Sequence, residues 1–245
     1  MPPEPVAAPV LVLAATQREL GPLLEALVDA EPPGRRDGGP LWFLHRHGAI
    51  DDTRVTLVIT GVGKVNAAAA TALAIERFAP RAVLQVGIGG AYGGSGLGAG
   101  DVALATFEVH LDTGVGHGVD WQDMASLGFP LLPGPPPRYN RLDLDPALTR
   151  RLAHDLGVPA VGFGTAEAVT ADAATAALLQ RRHGVAVESM EGAAAAHVAL
   201  AMGVPFVELR GVSNVVGDRD RRNWDVARAV HEASVRARAA LPLLP

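Results

Sequence analysis

The strongest constraint on the fold is a regular alternation between short apolar runs and longer segments with helical spacing. The run VLVLAA (10–15) has the length and composition of a buried strand, and Leu20, Leu23, Leu24 and Leu27 follow it at helical intervals. The same alternation predicts a strand at WFLHRHG, an alanine-rich helix over 64–78 and, at the end of the chain, a last helix from about 224. A chain of this kind is expected to fold as an α/β protein, with helices on both faces of a central β-sheet.

The domain organisation is simple. No linker divides residues 1–245, and this length suits one large α/β domain. One segment breaks the alternation: residues 112–140 are rich in Gly and Pro and end in PGPPPRYN. A segment of this length without regular structure is usually a functional loop or a disordered insert. We therefore predict a single domain with a flexible loop at about 112–140, which would cover a substrate.

The composition excludes several classes of protein. The chain has no cysteine, which excludes disulfides, thiolate zinc sites, iron–sulfur clusters and a cysteine nucleophile. A formal net charge of -5 is unsuited to nucleic acid or an anionic membrane, and no run approaches the ~18 apolar residues of a membrane span. The start, MPPEPVAAPV, lacks the basic region of a signal peptide, so we expect a cytoplasmic protein.

Familiar ligand-binding motifs are incomplete in this chain. GVGKVN follows a predicted strand but lacks the third glycine of a dinucleotide fingerprint, which disfavours an oxidoreductase. The sequence around Ser95 lacks the last glycine of a nucleophile elbow. His45 and His47 have strand spacing, and His110 and His117 flank the predicted loop, but no sequence pattern completes a ligand set. We therefore expect no metal and no cofactor.

Polar side chains stand at the carboxyl ends of three predicted strands. Glu19 follows the first strand, Glu191 lies in VESMEG, and LRGVSN contains Arg210, Ser213 and Asn214. Each has an ordinary alternative, since a carboxylate suits the first turn of a helix and an asparagine often caps a turn. Ligands of α/β proteins bind at the carboxyl ends of strands, however, and burying such groups unpaired costs several kcal/mol. A shared pocket accounts for all three sites.

Five segments resemble signatures of the purine nucleoside phosphorylase and nucleosidase superfamily: AATQREL, TGVGKVNAAAA, VGIGGAYGG, TAEAVT and VESMEGAAAAHVALAMGVPFVELRGVSN. Within that superfamily, ESMEGAA and SNVVGDRDRRNWD are similar to the futalosine hydrolases. The resemblance covers nearly the whole chain and implies one α/β domain with a central twisted mixed β-sheet. It also implies a homodimer or higher homo-oligomer that binds a small purine nucleoside.

The resemblance assigns roles to individual residues. It implies that Glu19 activates water, that Glu191 accepts hydrogen bonds from the ribose hydroxyls, and that Asn214 interacts with the departing purine. Met190 would pack under the ribose, and Arg210 would lie near the water and Glu19. The other implied substrate contacts are Gly89, Gly90, Val169, Thr170 and Ser213.

The implied reaction is hydrolysis of the N-glycosidic bond of futalosine, which releases hypoxanthine and dehypoxanthine futalosine in the alternative pathway to menaquinone. Carboxylates near the sugar suit this chemistry because positive charge grows in an oxocarbenium-like transition state. Relatives that cleave adenosine-type nucleosides carry Asp where this chain has Asn214. An amide is not a general acid near neutral pH but donates through its NH₂ group to N7 or O6, which favours hypoxanthine over adenine.

Three other functions stay open on the sequence alone. Asn214 disfavours a methylthioadenosine/S-adenosylhomocysteine nucleosidase. Glu19 disfavours a purine nucleoside phosphorylase because it occupies the loop where phosphorylases hold phosphate, although Arg18 could hold an anion. The presence of both Glu19 and Glu191 disfavours a non-catalytic nucleoside-binding protein with the same fold.

Two details of the implied site need structural information. Futalosine carries a carboxylated aromatic tail, so a cation is expected near it, and Arg138 and Arg141 in the proline-rich loop are the candidates. Ile88 stands where relatives often have a small polar residue, which leaves one contact to the water unassigned.

Overall fold

The computed structural model describes residues 7–28 and 44–245 of the chain. Its strands are β1 (Val10–Ala14), β2 (Leu44–Ile50), β3 (Thr53–Ile59), β4 (Ala82–Ala91), β5 (Val102–His110), β6 (Gly114–Val115), β7 (Gln122–Asp123), β8 (Arg141–Asp143), β9 (Ala160–Thr165), β10 (Val187–Ser189) and β11 (Phe206–Val215). Its helices are α1 (Gln17–Ala26), α2 (Lys64–Phe78), α3 (Met124–Leu127), α4 (Pro146–Leu156), α5 (Ala173–His183), α6 (Gly192–Ala201) and α7 (Val226–Ala240). Most of the MPPEPVAAPV stretch, on which the signal-peptide prediction rests, and the first residues of the predicted strand WFLHRHG lie outside the described residues.

Nine of the described strands form one large mixed sheet, whose order is β10-β9-β5-β11-β4-β1-β3-β2, with β8 added beside β5. Strand β10 is parallel to β9 and antiparallel to β4, where Val187 lies opposite Ala91 and Glu188 lies opposite Gly90. Five strands therefore form a closed ring of pairings, in which β4, β11, β5, β9 and β10 follow one another and β10 pairs with β4 again. This closure brings the residues that follow β10 beside the last residues of β4.

Two apolar cores lie on opposite faces of the sheet. One contains Leu20 and Leu23 of α1, Leu152 of α4, and Ala233 and Ala237 of α7. The other is built on the alanine-rich helices α2 and α6. Strand β1 lies between β3 and β4 and is buried along its whole length, as expected for a strand that is covered on both faces. The predicted α/β class, with a mixed sheet and helices on both faces, is confirmed.

The predicted helices lie close to the observed ones. The helix predicted over 64–78 is α2. The last helix begins at Val226 rather than near 224 because Asp225 caps it, with its carboxylate accepting from the Arg228 backbone N–H at 3.1 Å. In the described part of the chain, no helix combines the length and apolarity needed to cross a membrane.

The segment 112–140 contains short elements of its own. Strands β6 and β7 pair with each other, and α3 follows them. The Asn140 side chain ties the segment together because its amide donates to the carbonyls of His110 at 2.8 Å and Thr113 at 2.7 Å and accepts from the Met124 N–H at 2.8 Å. The flexibility expected of this loop stays a prediction.

Candidate active site

One cavity of about 410 Å³ collects nearly all the residues that the sequence analysis singled out. It lies where β1, β4 and β11 end and where the chain leaves β10. The predicted residues that line it are Glu19, Gly89, Gly90, Val169, Thr170, Met190, Glu191, Ser213 and Asn214. Arg210 is the exception, since only 1% of it is exposed and it lies behind the cavity wall.

Glu19 belongs both to the start of α1 and to the cavity. It forms a capping box with Thr16, the N-cap residue of the helix. Its Oε2 accepts from the Thr16 backbone N–H at 2.9 Å and from the Thr16 hydroxyl at 2.8 Å. Its Oε1 accepts from the Ile88 backbone N–H at 3.1 Å, whereas the contact to the water at this position stays unassigned. Three donors thus fix the orientation of this carboxylate.

Gly87 of β4 creates the space in which two functional side chains meet. A Cβ at this position would lie 2.6 Å from Arg210 Nη1 and 2.7 Å from Glu19 Oε1. The guanidinium and the carboxylate therefore converge over the α-carbon of Gly87. The sequence analysis missed this residue, because a glycine-rich run shows where the backbone is accessible but not which side chains approach it.

Arg210 donates to three acceptors through Nε and Nη1, whereas its buried Nη2 has no partner among the described residues. Its Nε donates to Oε1 of Glu208 at 2.7 Å, and its Nη1 donates to Oε2 of Glu191 at 3.2 Å and to the Ile88 carbonyl at 3.1 Å. Burial lowers the pKa of Arg210, but the charges of Glu208, Glu191 and Glu19 outweigh burial, so the net change is upward. A permanent positive charge therefore stands directly behind the cavity and holds Glu191 in place.

Glu191 faces the cavity while it is bonded from behind. Its Oε1 accepts from the Gly63 backbone N–H at 3.1 Å, and its Oε2 accepts from Arg210. Burial raises the pKa of Glu191, although Arg210 and the Gly63 hydrogen bond act in the opposite direction. A poorly solvated carboxylate of this kind interacts strongly with any positive charge that develops beside it.

A second pair of carboxyl groups lies deeper, beneath the start of α6. Glu108 of β5 and Glu208 of β11 are fully buried, and both approach the α-carbon of Gly192, where a Cβ would collide with them. Glu108 accepts from the Thr165 hydroxyl at 2.8 Å, whereas Glu208 pairs with Arg210. Burial raises the pKa of Glu108 well above its usual range, and Glu208 raises it further. Both effects favour the neutral form of Glu108, which lies beside the salt bridge between Glu208 and Arg210.

The amide of Asn214 is oriented by its neighbours. Its Oδ1 accepts from the Ser213 hydroxyl at 2.7 Å, and its Nδ2 donates to the Val215 carbonyl at 2.9 Å. The Ser213 oxygen also lies 3.2 Å from the Gly89 carbonyl, but a hydroxyl has one proton and the shorter contact takes it. One N–H of the Asn214 amide is thereby left for a ligand.

Glu188 also lines the cavity, and the sequence analysis missed it. Its carboxylate accepts from the Thr170 N–H at 2.9 Å, the Thr170 hydroxyl at 2.6 Å and the Tyr92 hydroxyl at 2.6 Å. Glu188 lies on β10, so its hydrogen bonds to Thr170 connect this strand to the segment that contains Val169 and Thr170. It holds the segment of these two predicted substrate contacts against the closed part of the sheet.

Comparison with known proteins agrees with this geometry. The model of a protein family described as the Phosphorylase superfamily matches residues 9–243.

The chain belongs to the Phosphorylase superfamily.

Three individual relatives show which enzymes of this superfamily the chain is similar to. The chain is 41% identical over 210 residues to futalosine hydrolase from Thermus thermophilus, which covers 85% of this chain and 88% of the relative. It is 36% identical over 180 residues to futalosine hydrolase from Streptomyces coelicolor, covering 71% and 73% of the two chains. It is 34% identical to 5'-methylthioadenosine/S-adenosylhomocysteine nucleosidase from Anoxybacillus flavithermus, covering 73% and 75%.

Solved structures show the same fold. S-adenosylhomocysteine nucleosidase from Streptococcus pyogenes, in complex with 5-methylthiotubericidin, superposes with a TM-score of 0.82 over 99% of each chain at 24% identity. 5'-Methylthioadenosine/S-adenosylhomocysteine nucleosidase from Helicobacter pylori superposes with a TM-score of 0.81 over 98% of this chain and 100% of that one at 19% identity. At these identities the likeness establishes the architecture alone.

The arginines expected to hold a substrate tail lie elsewhere in this member of the Phosphorylase superfamily. Arg138 and Arg141 line a second cavity, together with Tyr139. The Arg141 guanidinium lies 3.5 Å from the centroid of the Phe107 ring and pairs with Asp143 at 2.8 Å. Neither arginine lines the cavity that holds Glu19 and the other predicted residues, so the structure does not support that expectation.

The candidate metal-binding histidines are dispersed. His110 is buried, which lowers its pKa to about 4, and its ring centroid lies 5.6 Å from that of His197. His117 is exposed, and the rings of His45 and His47 contact each other with centroids 5.1 Å apart. Within the described residues, no group of three or more His, Cys, Asp and Glu side chains is placed to hold a metal ion.

Proposed function

We propose that this member of the Phosphorylase superfamily hydrolyses the N-glycosidic bond of futalosine, releasing hypoxanthine and dehypoxanthine futalosine in the alternative pathway to menaquinone. The observation that carries the proposal is the meeting of Glu19, Glu191 and Asn214 in one cavity, each oriented by hydrogen bonds to its neighbours. The futalosine hydrolases that are 41% and 36% identical to this chain support the choice of substrate.

Glu191 and Met190 form the sugar side of the proposed site. The Glu191 carboxylate is held by Gly63 and Arg210 and accepts hydrogen bonds from the ribose hydroxyls, while Met190 packs under the ribose. As the glycosidic bond breaks, positive charge grows on the sugar ring. The buried carboxylate stabilises that charge more in the transition state than in the bound substrate, and this difference accelerates the reaction.

Glu19 activates the attacking water. Three donors from Thr16 and Ile88 hold the carboxylate in one orientation, so its remaining lone pair, on Oε1, is available to the water. As the water attacks the anomeric carbon, Glu19 takes one of its protons. Arg210 acts behind this site, where its Nη1 and Glu19 converge over Gly87.

Asn214 serves the departing purine. Its free N–H donates to N7 or O6 of hypoxanthine, and the negative charge on the leaving base strengthens that hydrogen bond. A 6-oxopurine leaves readily as a hydrogen-bonded anion, so an amide suffices where an adenine would need a protonating acid. Thr170, which Glu188 fixes, and the neighbouring Val169 contact the far side of the base.

Water rather than phosphate is the proposed nucleophile. Arg210 is buried and engaged with Glu208 and Glu191, so it offers little to an incoming anion. Of the described residues that line the cavity, the only arginines are Arg18, Arg219 and Arg221, and all three are exposed. A phosphate next to Glu19 would also meet like charge, which is unfavourable at close range.

The first test is an assay of the products. Protein incubated with futalosine should release hypoxanthine at the same rate with and without inorganic phosphate, because solvent supplies the nucleophile. Chromatography of hypoxanthine and of the sugar product measures both. A sugar 1-phosphate among the products would identify a phosphorylase instead, and release of adenine from methylthioadenosine without action on futalosine would favour the second candidate function.

Substitution of Asn214 by Asp tests the base preference, which separates the two candidates. Asn214→Asp should raise kcat/KM for the 6-amino analogue relative to futalosine by about tenfold or more, because a protonated carboxyl donates a proton to N7 and the amide does not. The ratio of kcat/KM for the two substrates is the measurement. Equal ratios in the wild type and the variant would show that Asn214 does not set the preference.

The cytoplasmic location and the homodimer or higher homo-oligomer expected from the sequence stay predictions.

A further inference from the structure

Positive and aromatic side chains stand at the solvent end of the active-site cavity. Arg18, Arg219 and Arg221 line the cavity and are exposed, and the half-buried Trp224 lines it beside them. The Arg219 guanidinium lies 5.0 Å from the centroid of the Trp224 ring. Within the described residues, none of the three arginines has a carboxylate within 4 Å. These charges are therefore available to a ligand.

The loop that carries this group is organised by Asp218. The Trp224 indole N–H donates to the Asp218 carbonyl at 3.1 Å, and the Asn223 amide donates to the Asp218 carboxylate at 2.8 Å. The Asp220 N–H also donates to that carboxylate at 2.8 Å. The neighbouring Arg222 differs from Arg219 and Arg221, since it pairs with Asp220 and does not line the cavity. The loop thus holds Trp224 in place and leaves two arginines unpaired.

The inner part of the cavity has the opposite charge. Glu19, Glu188 and Glu191 line it and are all buried. A substrate carboxylate placed among them would be repelled, and it would also lose its hydration without gaining a partner. A substrate that enters with its purine and sugar inside can place a carboxylate only at the exposed end. Arg219 and Arg221 meet it there, next to an aromatic ring.

We propose that Arg219, Arg221 and Trp224 form the subsite for the carboxylated aromatic tail of the substrate, an inference that rests on the proposed function. The aryl ring stacks on the Trp224 indole, and its carboxylate accepts charge-assisted hydrogen bonds from the guanidinium groups. Arg219 and Arg221 share one short loop with Trp224, so a single ligand reaches all three. This subsite distinguishes futalosine from nucleosides that lack the tail.

Steady-state kinetics with futalosine and with inosine, which has the same base but no tail, test the subsite. The double variant Arg219→Ala, Arg221→Ala should raise KM for futalosine by about 10-fold, because two exposed charge-assisted contacts are lost. Trp224→Leu should raise it by about 3- to 10-fold. Values of kcat for futalosine and KM for inosine should change far less. In the wild type, but not in the double variant, added salt should raise KM for futalosine.

Arg222→Ala is the matched control, since it removes an arginine from the same loop that is paired and does not line the cavity. It should leave both KM values unchanged. If the wild type cleaves futalosine but the double variant keeps its KM, the subsite is overturned while the proposed function stands. A similar rise in KM for both substrates also overturns it, because the arginines would then shape the cavity in general. If the wild type does not cleave futalosine at all, the proposed function itself fails.

Discussion

Replacing Glu19 by glutamine is expected to lower kcat for hypoxanthine release by about 10²- to 10⁴-fold, the usual contribution of a general base. Glutamine has nearly the same shape, and its carbonyl can still accept from Thr16 or from Ile88. It cannot take a proton from water. The binding contacts of the sugar and the purine are made by other residues, so KM for futalosine should change much less than kcat.

The structural role of Glu19 must be separated from its chemical role in this experiment. Glu19→Gln turns one Oε atom of the side chain into an NH₂ group that faces a backbone donor, which weakens the capping box by about 1 kcal/mol. Thermal unfolding measures this loss, which is far too small to unfold the protein. Glu25→Gln is the control, because Glu25 is exposed on the same helix and does not line the cavity. A variant at Glu19 that keeps kcat within about threefold would show that water is activated elsewhere.

Glutamine in place of Glu208 is expected to destabilise the fold by about 3 kcal/mol. Glutamine in place of Glu108 is expected to leave stability unchanged or to raise it at pH 7, because the wild type has lost stability there through the raised pKa of Glu108. The two carboxyl groups lie in the same buried cluster but differ in charge. Glu208 neutralises the buried Arg210, and its loss leaves that guanidinium with the longer contact to Glu191 alone. Burial raises the pKa of Glu108 and favours its neutral form, so the substitution exchanges one neutral hydrogen-bonding group for another.

Glu208→Gln should also lower the activity more than Glu108→Gln does. In Glu208→Gln the Arg210 guanidinium loses its charged partner, and a weaker bond from Nε to the amide oxygen holds Glu191 and the Ile88 carbonyl less firmly in position. We therefore expect kcat to fall by about tenfold or more for Glu208→Gln and to stay close to wild type for Glu108→Gln. Chemical denaturation and steady-state kinetics of the same preparations provide both measurements.

The pH dependence of stability identifies the protonated member of the pair. Because the folded-state pKa of Glu108 is raised, its contribution to stability is full below about pH 4.3 and falls as the pH rises toward the folded-state pKa. The loss is at most about 1.4 kcal/mol per pH unit. Glu108→Gln removes this titration, so its free energy of unfolding should decline less than that of the wild type between about pH 5 and 8. Parallel curves for the two proteins would place the proton elsewhere.

Much of the candidate site could be predicted because its residues follow strands in sequence. Glu19, Glu191 and Asn214 each stand where an apolar run ends, and the structure places all three in one cavity. The superfamily predicted from five segments was confirmed by the match over residues 9–243. Their catalytic roles stay predictions until the variants are measured.

The residues that sequence patterns did not identify are defined by contacts with distant parts of the chain. Glu108 lies inside β5, where a local pattern does not distinguish a charge buried in a cluster from one that faces solvent. Gly87 was one glycine among many, and its importance comes from Arg210 and Glu19, which approach it from other elements. None of these contacts joins residues that are close in sequence.

The order of strands and helices and the fold class follow from local periodicity, because the side chains of one strand or helix decide which of its faces is buried. Local periodicity does not predict three other features. These are the pairing of β10 with β4, the position of Arg210 behind Glu191, and the presence of Arg219 and Arg221, rather than Arg138, at the cavity. These features depend on groups far apart in the chain, whose charges and hydrogen bonds interact only after the sheet has closed and excluded water.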